Sequence, residues 1–396
     1  MDSLKGLHKL PSADQSIEES NANEFTKLKL KKLKDQVIVI TGASSGIGLT
    51  TARMAAKQGA KVVAAARNEQ ALLELVSEIN AEGGLSTYCV ADVGSEDDVK
   101  RIANTAIEVY GGFDTWVNTA GVSIFGKATD VEIEDMRRMF DTNFWGAVYG
   151  SRVAVEHFKQ RGVPGALINV GSLFGDRGTV VQSTYSAAKF ALHGFTENLR
   201  MELEKERAPV SVTLIHPVRI DTPYNEHAVS YLEKQPSHVG MMYAPEAVAE
   251  AILFAAGHPK RDMYVGSQAK FIAAFGRLAP RLMDKWMEQT MFRTQHDDRP
   301  SNPREESALY KPGYGMQERG TNSGWIRERS WYVKATKRPL VTALALAGAG
   351  ASLWAVTRNK RNASNDSPKH RTDVRTEYRP TPPGDHVVLK PVPNPE

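Results

Sequence analysis

Seven short apolar runs, separated by longer segments of helical period, mark out the first two thirds of the chain. The runs cover residues 37–40, 61–66, 86–90, 114–118, 166–170, 210–217 and 262–266. Each has the length of a strand, and several contain no alternating polar residue, which is typical of strands buried on both faces of a parallel sheet. Amphipathic helical patterns lie between the runs. This alternation predicts a doubly wound α/β fold with a central parallel sheet.

The pattern divides the chain into five parts. Residues 1–34 are a flexible basic tail, and residues 35–292 hold the Rossmann-type α/β domain. Residues 293–338, rich in Pro, Gly, Arg and Ser without a persistent period, are interpreted as an irregular arm. An uncharged segment occupies 339–357, and the proline-containing tail 358–396 is predicted to be disordered.

The uncharged segment 339–357 is about as long as one bilayer crossing and has basic residues on both sides. Alanine and glycine dominate it, so its transfer into a membrane gains little free energy. We favour a transmembrane helix, and a soluble helix of small residues stays open as the alternative. Basic residues at both ends leave the orientation open.

Composition excludes several classes of function. The 396 residues are 41% hydrophobic and 24% charged, which is enough for a full-sized core. The 50 Lys and Arg are too nearly balanced by 46 Asp and Glu to indicate nucleic-acid binding. The single cysteine, Cys89, excludes an internal disulfide, and the ten histidines show no zinc-ligand spacing, so no metal is expected. Ser172 lacks the Gly-x-Ser-x-Gly elbow of hydrolases.

The first apolar run stops at a glycine-rich turn from Thr41 to Gly48. Glycines let the backbone bend tightly and approach a ligand, and the helix that follows directs its first amides at whatever sits there. A pyrophosphate is the natural occupant. The residues predicted to bind it are Gly42, Ser44, Ser45, Gly46, Ile47 and Gly48.

The second apolar run ends about 20 residues later, where a carboxylate would hold the ribose of NAD. The residue at this place is Arg67. A guanidinium matches a 2′-phosphate in charge and geometry, so the sequence favours NADP over NAD, with Ser44 and Ser45 as further donors. An ordinary surface arginine is the alternative.

Ser172, Tyr185 and Lys189 are the predicted catalytic residues. Ser172 follows the fifth apolar run, and Tyr185 and Lys189 are four residues apart, so they share one helix face. An ammonium group close to a phenol lowers the phenol's pKa, which would let Tyr185 exchange a proton with a carbonyl or alcohol oxygen. Ser172 would hydrogen-bond the same oxygen. His193, one turn beyond Lys189, is interpreted as a packing residue.

These motifs resemble those of the short-chain dehydrogenase/reductase family over about residues 35–266. The family's Thr-Gly-x-x-x-Gly-x-Gly and Tyr-x-x-x-Lys patterns match here at every fixed position. The resemblance implies that Asn143 holds a water linking Lys189 to solvent, and that Tyr185 and Lys189 also touch the cofactor. The further cofactor contacts that it implies are Asp92, Asn118, Ala120, Gly121, Pro217 and Thr222. Thr119 and Val218 depart from the family's asparagine and glycine.

The motifs together predict an NADP-dependent oxidoreductase that interconverts a ketone or aldehyde and an alcohol, with Tyr185 as general acid/base. Residues 223–242 lack a regular period and are interpreted as a mobile lid, whose aromatic and methionine side chains favour an apolar substrate. Substrate identity and reaction direction stay open. The alternative is a membrane-tethered binding or scaffold protein with this fold and little or no turnover.

Two expectations concern assembly and location. The family resemblance implies a homodimer or homotetramer, paired through the helices that carry Asn143 and Tyr185. Cofactor supply places the catalytic domain in the cytoplasm, with the chain membrane-associated if 339–357 inserts and cytoplasmic if it does not.

Overall fold

The structure, a computed structural model, describes residues 28–337 and, singly, Thr342, Ser352 and Trp354. The chain divides between residues 339 and 340, and all the helices and strands given below lie in the first unit. Nearly all of the segment 339–357 and all of the tail 358–396 lie outside the described residues. Within the part that is described, no helix combines the length and the apolar character that a bilayer crossing needs.

A seven-stranded parallel sheet is the centre of the first unit. The strands in chain order are β1 (Val37–Thr41), β2 (Lys61–Ala66), β3 (Leu85–Val90), β4 (Thr115–Asn118), β5 (Ile124–Phe125), β6 (Gly165–Val170), β7 (Val210–Pro217), β8 (Val229–Ser230), β9 (Lys234–Pro236), β10 (Val239–Tyr243), β11 (Asp262–Val265), β12 (His296–Pro300) and β13 (Ser323–Arg327). The sheet has the order β3-β2-β1-β4-β6-β7-β11 and contains all seven predicted runs. The predicted α/β fold is confirmed.

Ten helices accompany these strands in the described residues: α1 (Gly46–Lys57), α2 (Glu69–Ala81), α3 (Glu96–Tyr110), α4 (Ile133–Phe140), α5 (Gly146–Arg161), α6 (Ser183–Lys205), α7 (Pro245–Gly257), α8 (Ser267–Leu278), α9 (Pro280–Thr294) and α10 (Trp331–Lys337). Helix α7 starts with Pro245 in its first turn, where proline is favoured. Helices α3 and α5 both end at left-handed glycines, Gly111 and Gly162.

Alternate residues of each strand fill two separate cores. Ile38 and Ile40 of β1 pack with α1, α2 and α7, whereas Val37 and Val39 pack with α3, α5 and α6. Successive side chains of a strand point to opposite faces, so a strand covered on both faces must be apolar throughout. This explains why the runs lack polar alternation.

The helix that carries Asn143 is interrupted. Helix α4 passes into a π-helical turn, Asp141–Trp145, and α5 continues to Arg161. The turn carries Asn143, whose side chain exchanges two hydrogen bonds with the backbone of Val122, at 2.8 and 2.9 Å. π-Helical turns of this kind are frequent at functional sites.

The predicted lid and the predicted irregular arm pair with each other. Strand β9 is antiparallel to β12, and β10 is parallel to β13. Strand β8 pairs with β5 beside the main sheet. Residues 293–338 therefore contain two strands and α10 where the sequence predicts irregular structure, because strands of five residues are too short to show a period.

Helices α8 and α9 divide the helical pattern that the sequence shows between Phe271 and Met291, with a break at Ala279 and Pro280. Their apolar side chains are not all buried. Phe271 is 67%, Leu278 84% and Leu282 65% exposed, whereas Met283 and Met287 are buried. The two helices thus cover part of the domain and leave an apolar outer face.

Candidate active site

One cavity of about 530 Å³ lies at the carboxyl ends of the sheet strands. It opens where the strand order reverses between β1 and β4, the place at which doubly wound folds bind ligands. The predicted site residues that line it are Gly42, Ser44, Ser45, Gly46, Ile47, Gly48, Arg67, Asp92, Ala120, Gly121, Ser172, Tyr185, Lys189, Pro217 and Thr222. Asn118 and Asn143 do not line it.

The glycine turn leaves no room for side chains. A Cβ at Gly48 would lie 2.1 Å from the carbonyl oxygen of Gly42, and a Cβ at Gly42 would lie 2.8 Å from Cα of Ala120. Ser45, at the N-cap of α1, makes no side-chain capping hydrogen bond. The amide of Gly46 is engaged by the carbonyl oxygen of Gln317 at 2.9 Å. The rest of this helix N-terminus has no side-chain cap and adjoins bare backbone, which suits an anion, so these residues fit the pyrophosphate of a dinucleotide.

Asn118 connects β4 to β6 through side-chain hydrogen bonds. Its Nδ2 donates to Oδ1 of Asn169 at 2.8 Å, and its Oδ1 accepts from the indole of Trp116 at 2.8 Å. The following residue, Thr119, has a buried hydroxyl without a partner. The backbone amides of Thr119 and Ala120 donate to Oγ1 of Thr41, at 3.1 and 3.3 Å. The ends of β1 and β4 are thereby held together despite the departure at Thr119.

Three catalytic candidates meet in the cavity. Tyr185 and Ser172 line it together, and the Ser172 side chain is close enough to lower the pKa of the Tyr185 phenol against the larger, opposite effect of burial. Ser172 is fixed by its own turn, since its Oγ accepts from the amide of Phe174 at 3.1 Å. Lys189 Nζ donates to the carbonyl oxygen of Val170 at 2.9 Å and lies 5.8 Å from the centre of the Tyr185 ring.

Burial dominates the protonation of this pair. It raises the pKa of the Tyr185 phenol, and the hydrogen bonds from Ser172 and Tyr224 act in the opposite direction without reversing the shift. The expectation that Lys189 lowers the pKa of Tyr185 is therefore not met, because the ammonium group is directed at Val170. Burial lowers the pKa of Lys189 itself to about 8.

Tyr224 is a functional candidate that the sequence analysis places only in the lid. Its hydroxyl donates to Oγ of Ser123 at 2.7 Å and accepts from Nε2 of Gln182 at 2.8 Å. The two tyrosine rings meet edge to face, with centroids 5.5 Å apart. Tyr224 therefore packs directly against Tyr185 at the cavity wall. No local sequence pattern predicts this position of Tyr224, because the residue lies in an irregular segment.

A chain of titratable side chains lies beneath the Ser172 turn. His193 Nε2 accepts from the amide of Ser172 at 3.3 Å, and its Nδ1 lies 3.2 Å from Asp176. The second oxygen of Asp176 lies 2.9 Å from Nδ1 of His216, whose Nε2 is 3.1 Å from Asp262. His193 thus supports the backbone of Ser172, a more specific role than the packing that the sequence suggests.

The protonation states follow from these partners. Burial lowers the pKa of His193, which stays neutral with its proton on Nδ1 because Nε2 accepts from Ser172. Burial disfavours charge on His216, but hydrogen bonds to Asp176 and Asp262 outweigh it and raise its pKa. Asp176, His193 and His216 also bring metal-type ligand atoms within 4.8 Å of one another. The expectation of no metal stays a prediction.

Arg67 is engaged by a segment far along the chain. It donates to the carbonyl oxygens of Ala308 and Leu309, which belong to residues 304–322. We call this segment the strap. Asp92, opposite Arg67, pairs with Arg138, which also donates to Leu309. The strap contact is one that the sequence does not predict.

The loop after β7 keeps Pro217 and Thr222 at the cavity although Val218 replaces the family's glycine. A Cβ at Gly46 would lie 3.1 Å from Cβ of Thr222, so Thr222 stands directly beside the glycine turn. Val218 is not among the residues with positive φ. The valine therefore fits without backbone strain.

The far side of the cavity is apolar with a few polar groups. Its walls are Leu173, Phe174, Met241, Ile272, Trp286, Met287 and Met291. His238 and Gln268 line the same space, and His238 Nδ1 and Gln268 Oε1 are buried without a hydrogen-bond partner. Such a wall accommodates an apolar substrate that carries a few polar groups.

The lowered pKa of Lys189 predicts how stability depends on pH. The native lysine releases its proton near pH 8, whereas the unfolded chain keeps it up to about 10.5. Between these values the unfolded state binds more protons, so stability rises with pH. Relative to a Lys189→Met variant, which cannot titrate there, nucleotide-free wild type should gain free energy of unfolding across this window in urea denaturation. Parallel curves for the two proteins would contradict the assignment.

Comparisons with known proteins agree with this geometry. The family model described as short chain dehydrogenase matches residues 36–232. The chain is 68% identical over 355 residues to "Uncharacterized oxidoreductase YxnA" of Bacillus subtilis (strain 168), covering 89% of this chain and 99% of that protein. It is 31% identical to "Putative oxidoreductase SadH" of Mycobacterium tuberculosis (strain H37Rv) over 63% of this chain and 92% of SadH.

A solved structure shares the fold. It is a short-chain dehydrogenase/reductase from Burkholderia phymatum in complex with NAD, with a TM-score of 0.58 and 22% identity, and it covers 64% of this chain and 96% of its own. The identity and coverage of the Bacillus relative carry the assignment beyond the fold. The chain belongs to the short-chain dehydrogenase/reductase family of NAD(P)-dependent oxidoreductases.

Proposed function

We propose that this protein is an NADP-dependent oxidoreductase that interconverts a ketone or aldehyde and the corresponding alcohol. The observation that carries the proposal is that Tyr185, Ser172 and Lys189 line one cavity together with the glycine turn. A proton donor, an oxygen-binding hydroxyl and a dinucleotide cradle are the three parts that carbonyl reduction needs.

The chain's own residues would handle the proton and the developing charge. The cofactor supplies or accepts the hydride when it is bound. Tyr185 donates its proton to the carbonyl oxygen during reduction and removes one from the alcohol during oxidation. Ser172 stabilises negative charge on the same oxygen, and Tyr224 packs against the ring of Tyr185. The apolar walls exclude water from the reacting atoms.

The preference for NADP rests on Arg67. The guanidinium lines the cavity at the end of β2, and no acidic residue occupies that position. Two of its N–H groups reach the strap carbonyls, which leaves further donors on the fork for a 2′-phosphate.

Membrane attachment through 339–357 and assembly into a homodimer or homotetramer stay predictions. The exposed apolar face of α8 and α9 carries Lys270, Arg281 and Lys285 and supports a membrane partner. Trp145, Phe190 and Met201, exposed on the Asn143 turn and on α6, support pairing between copies. Flotation of the full chain and of residues 1–338 with anionic vesicles, and light scattering of both, would test these two points.

Removal of the Tyr185 hydroxyl tests the reaction. Tyr185→Phe should lower kcat for NADPH oxidation with apolar ketones and aldehydes by about 10²- to 10⁴-fold, because the proton donor is lost. Binding of NADPH, followed by fluorescence, should change little. Tyr88→Phe, which removes a hydroxyl from β3 far from the predicted catalytic set, is the matched control. Equal rates for Tyr185→Phe and wild type would refute the mechanism.

Replacement of Arg67 tests the cofactor preference. Arg67→Gln should raise the KM for NADPH by about 10- to 100-fold, the effect of losing hydrogen bonds to a charged group. The KM for NADH should rise clearly less, because NADH loses only the effect of the strap contacts of Arg67 and no 2′-phosphate contact. NADH is the internal control, because damage to the strap would weaken both cofactors alike. A parallel loss for both would remove the argument for NADP.

A further inference from the structure

The strap, residues 304–322, is tied down at both ends. Arg304 forms a two-pronged ion pair with Glu132, at 2.7 and 2.8 Å, and reaches the fully buried Asp135 at 2.7 Å. At the other end Asn322 donates to Asp221 at 2.9 Å and accepts from Asn225 at 2.9 Å. The segment between them is held along a defined path across the domain.

The middle of the strap crosses the glycine turn. The amide of Met316 donates to the carbonyl oxygen of Ser44 at 2.8 Å, and the amide of Gly46 donates to the carbonyl oxygen of Gln317 at 2.9 Å. These are main-chain hydrogen bonds to the turn predicted to hold the pyrophosphate. Glu318 adds an ion pair with Arg53 of α1 at 2.8 Å.

The first half of the strap lies beside the end of β2. Arg67 donates to Ala308 and Leu309, and Nδ2 of Asn68 donates to the carbonyl oxygen of Gly313 at 2.9 Å. The cavity wall next to Arg67 and Asp92 includes Ala308, Pro312 and Gly313. The strap is thus a wall of the half of the cavity that would hold the adenosine.

The strap packs closely against α2 at Gly315. A Cβ at Gly315 would lie 2.2 Å from Cβ of Ala71 and 3.2 Å from the carbonyl oxygen of Ser44. Gly315 is not among the glycines with positive φ, so space rather than backbone conformation requires glycine there. A single methyl group at this position would push the strap away from the turn.

We propose that the strap is a built component of the dinucleotide site which encloses the adenosine half of the cofactor and slows its exchange. The inference rests on the proposed function, since it takes the ligand to be a nicotinamide dinucleotide. To leave, the adenosine end must first detach the strap from Ser44, Gly46 and Arg67. Exchange of cofactor is then limited by opening of the strap, and the protein retains the nucleotide.

The test is the rate at which bound NADPH is released. The protein is loaded with NADPH and mixed with excess NADP⁺ in a stopped-flow fluorimeter, and the loss of nucleotide fluorescence gives the dissociation rate. Gly315→Ala should release NADPH about tenfold faster or more, the effect of losing one or two hydrogen bonds. The double variant Ala71→Gly with Gly315→Ala, which moves the methyl group from one side of the contact to the other, should return the rate towards wild type.

Two further variants complete the design. Gly257→Ala adds a methyl group at a helix end where nothing lies within 4 Å, and it should leave the rate unchanged. Glu318→Gln removes the ion pair with Arg53 without adding volume, and it should speed release by about threefold. It tests the proposal even if Gly315→Ala does not fold.

The possible results distinguish failure of the strap proposal from failure of the proposed function. NADPH binding with the same dissociation rate in wild type, Gly315→Ala and Glu318→Gln would overturn the enclosure and leave the proposed function intact. Faster association without faster dissociation would also overturn it, because the strap would then be an obstacle rather than a cover. If wild type bound neither NADPH nor NADH, the proposed function itself would fall, and the strap proposal with it.

Discussion

The close approach of three backbone segments at the start of α1 constrains the whole site. The ends of β1 and β4 and the first turn of α1 come so near that a Cβ at Gly42 or Gly48 would overlap Ala120 or the turn itself. At these glycines the cofactor side of the cavity consequently presents main chain. Side chains that do chemistry have to come from elsewhere, and they come from the end of β6 and from α6, which supply Ser172, Tyr185 and Lys189.

Much of the fold could be predicted from the sequence, because some local patterns are compatible with only one structure. A strand buried on both faces has to be apolar, and a tyrosine and a lysine four residues apart must share a helix face. The sheet, the glycine turn and the shared helix face of Tyr185 and Lys189 follow from such rules. Contacts between distant segments do not: Tyr224 reaches Tyr185 from an irregular stretch, and the strap reaches Arg67 from beyond residue 303. The protonation of Tyr185 also escapes the sequence, because it depends on burial.

The titratable side chains under Ser172, which begin with His193, give Gly171 and Gly175 a role unrelated to the cofactor. A Cβ at Gly171 would lie 2.3 Å from Nε2 of His193, and one at Gly175 would lie 2.5 Å from the same ring. The imidazole therefore occupies space that these glycines leave open. From His193 the contacts continue through Asp176 and His216 to Asp262 at the edge strand β11. The position of Ser172 is in this way connected to the far edge of the sheet.

The strap meets the site mainly through carbonyl oxygens and amides, which every residue type except proline can offer in full. Most of its side chains can therefore change over evolution while the contacts to Ser44, Gly46 and Arg67 persist. Its length, its path and the glycine at 315 are what such relatives must preserve. A C-terminal extension of this kind would look poorly conserved in an alignment and still be an essential part of the fold's ligand-binding apparatus.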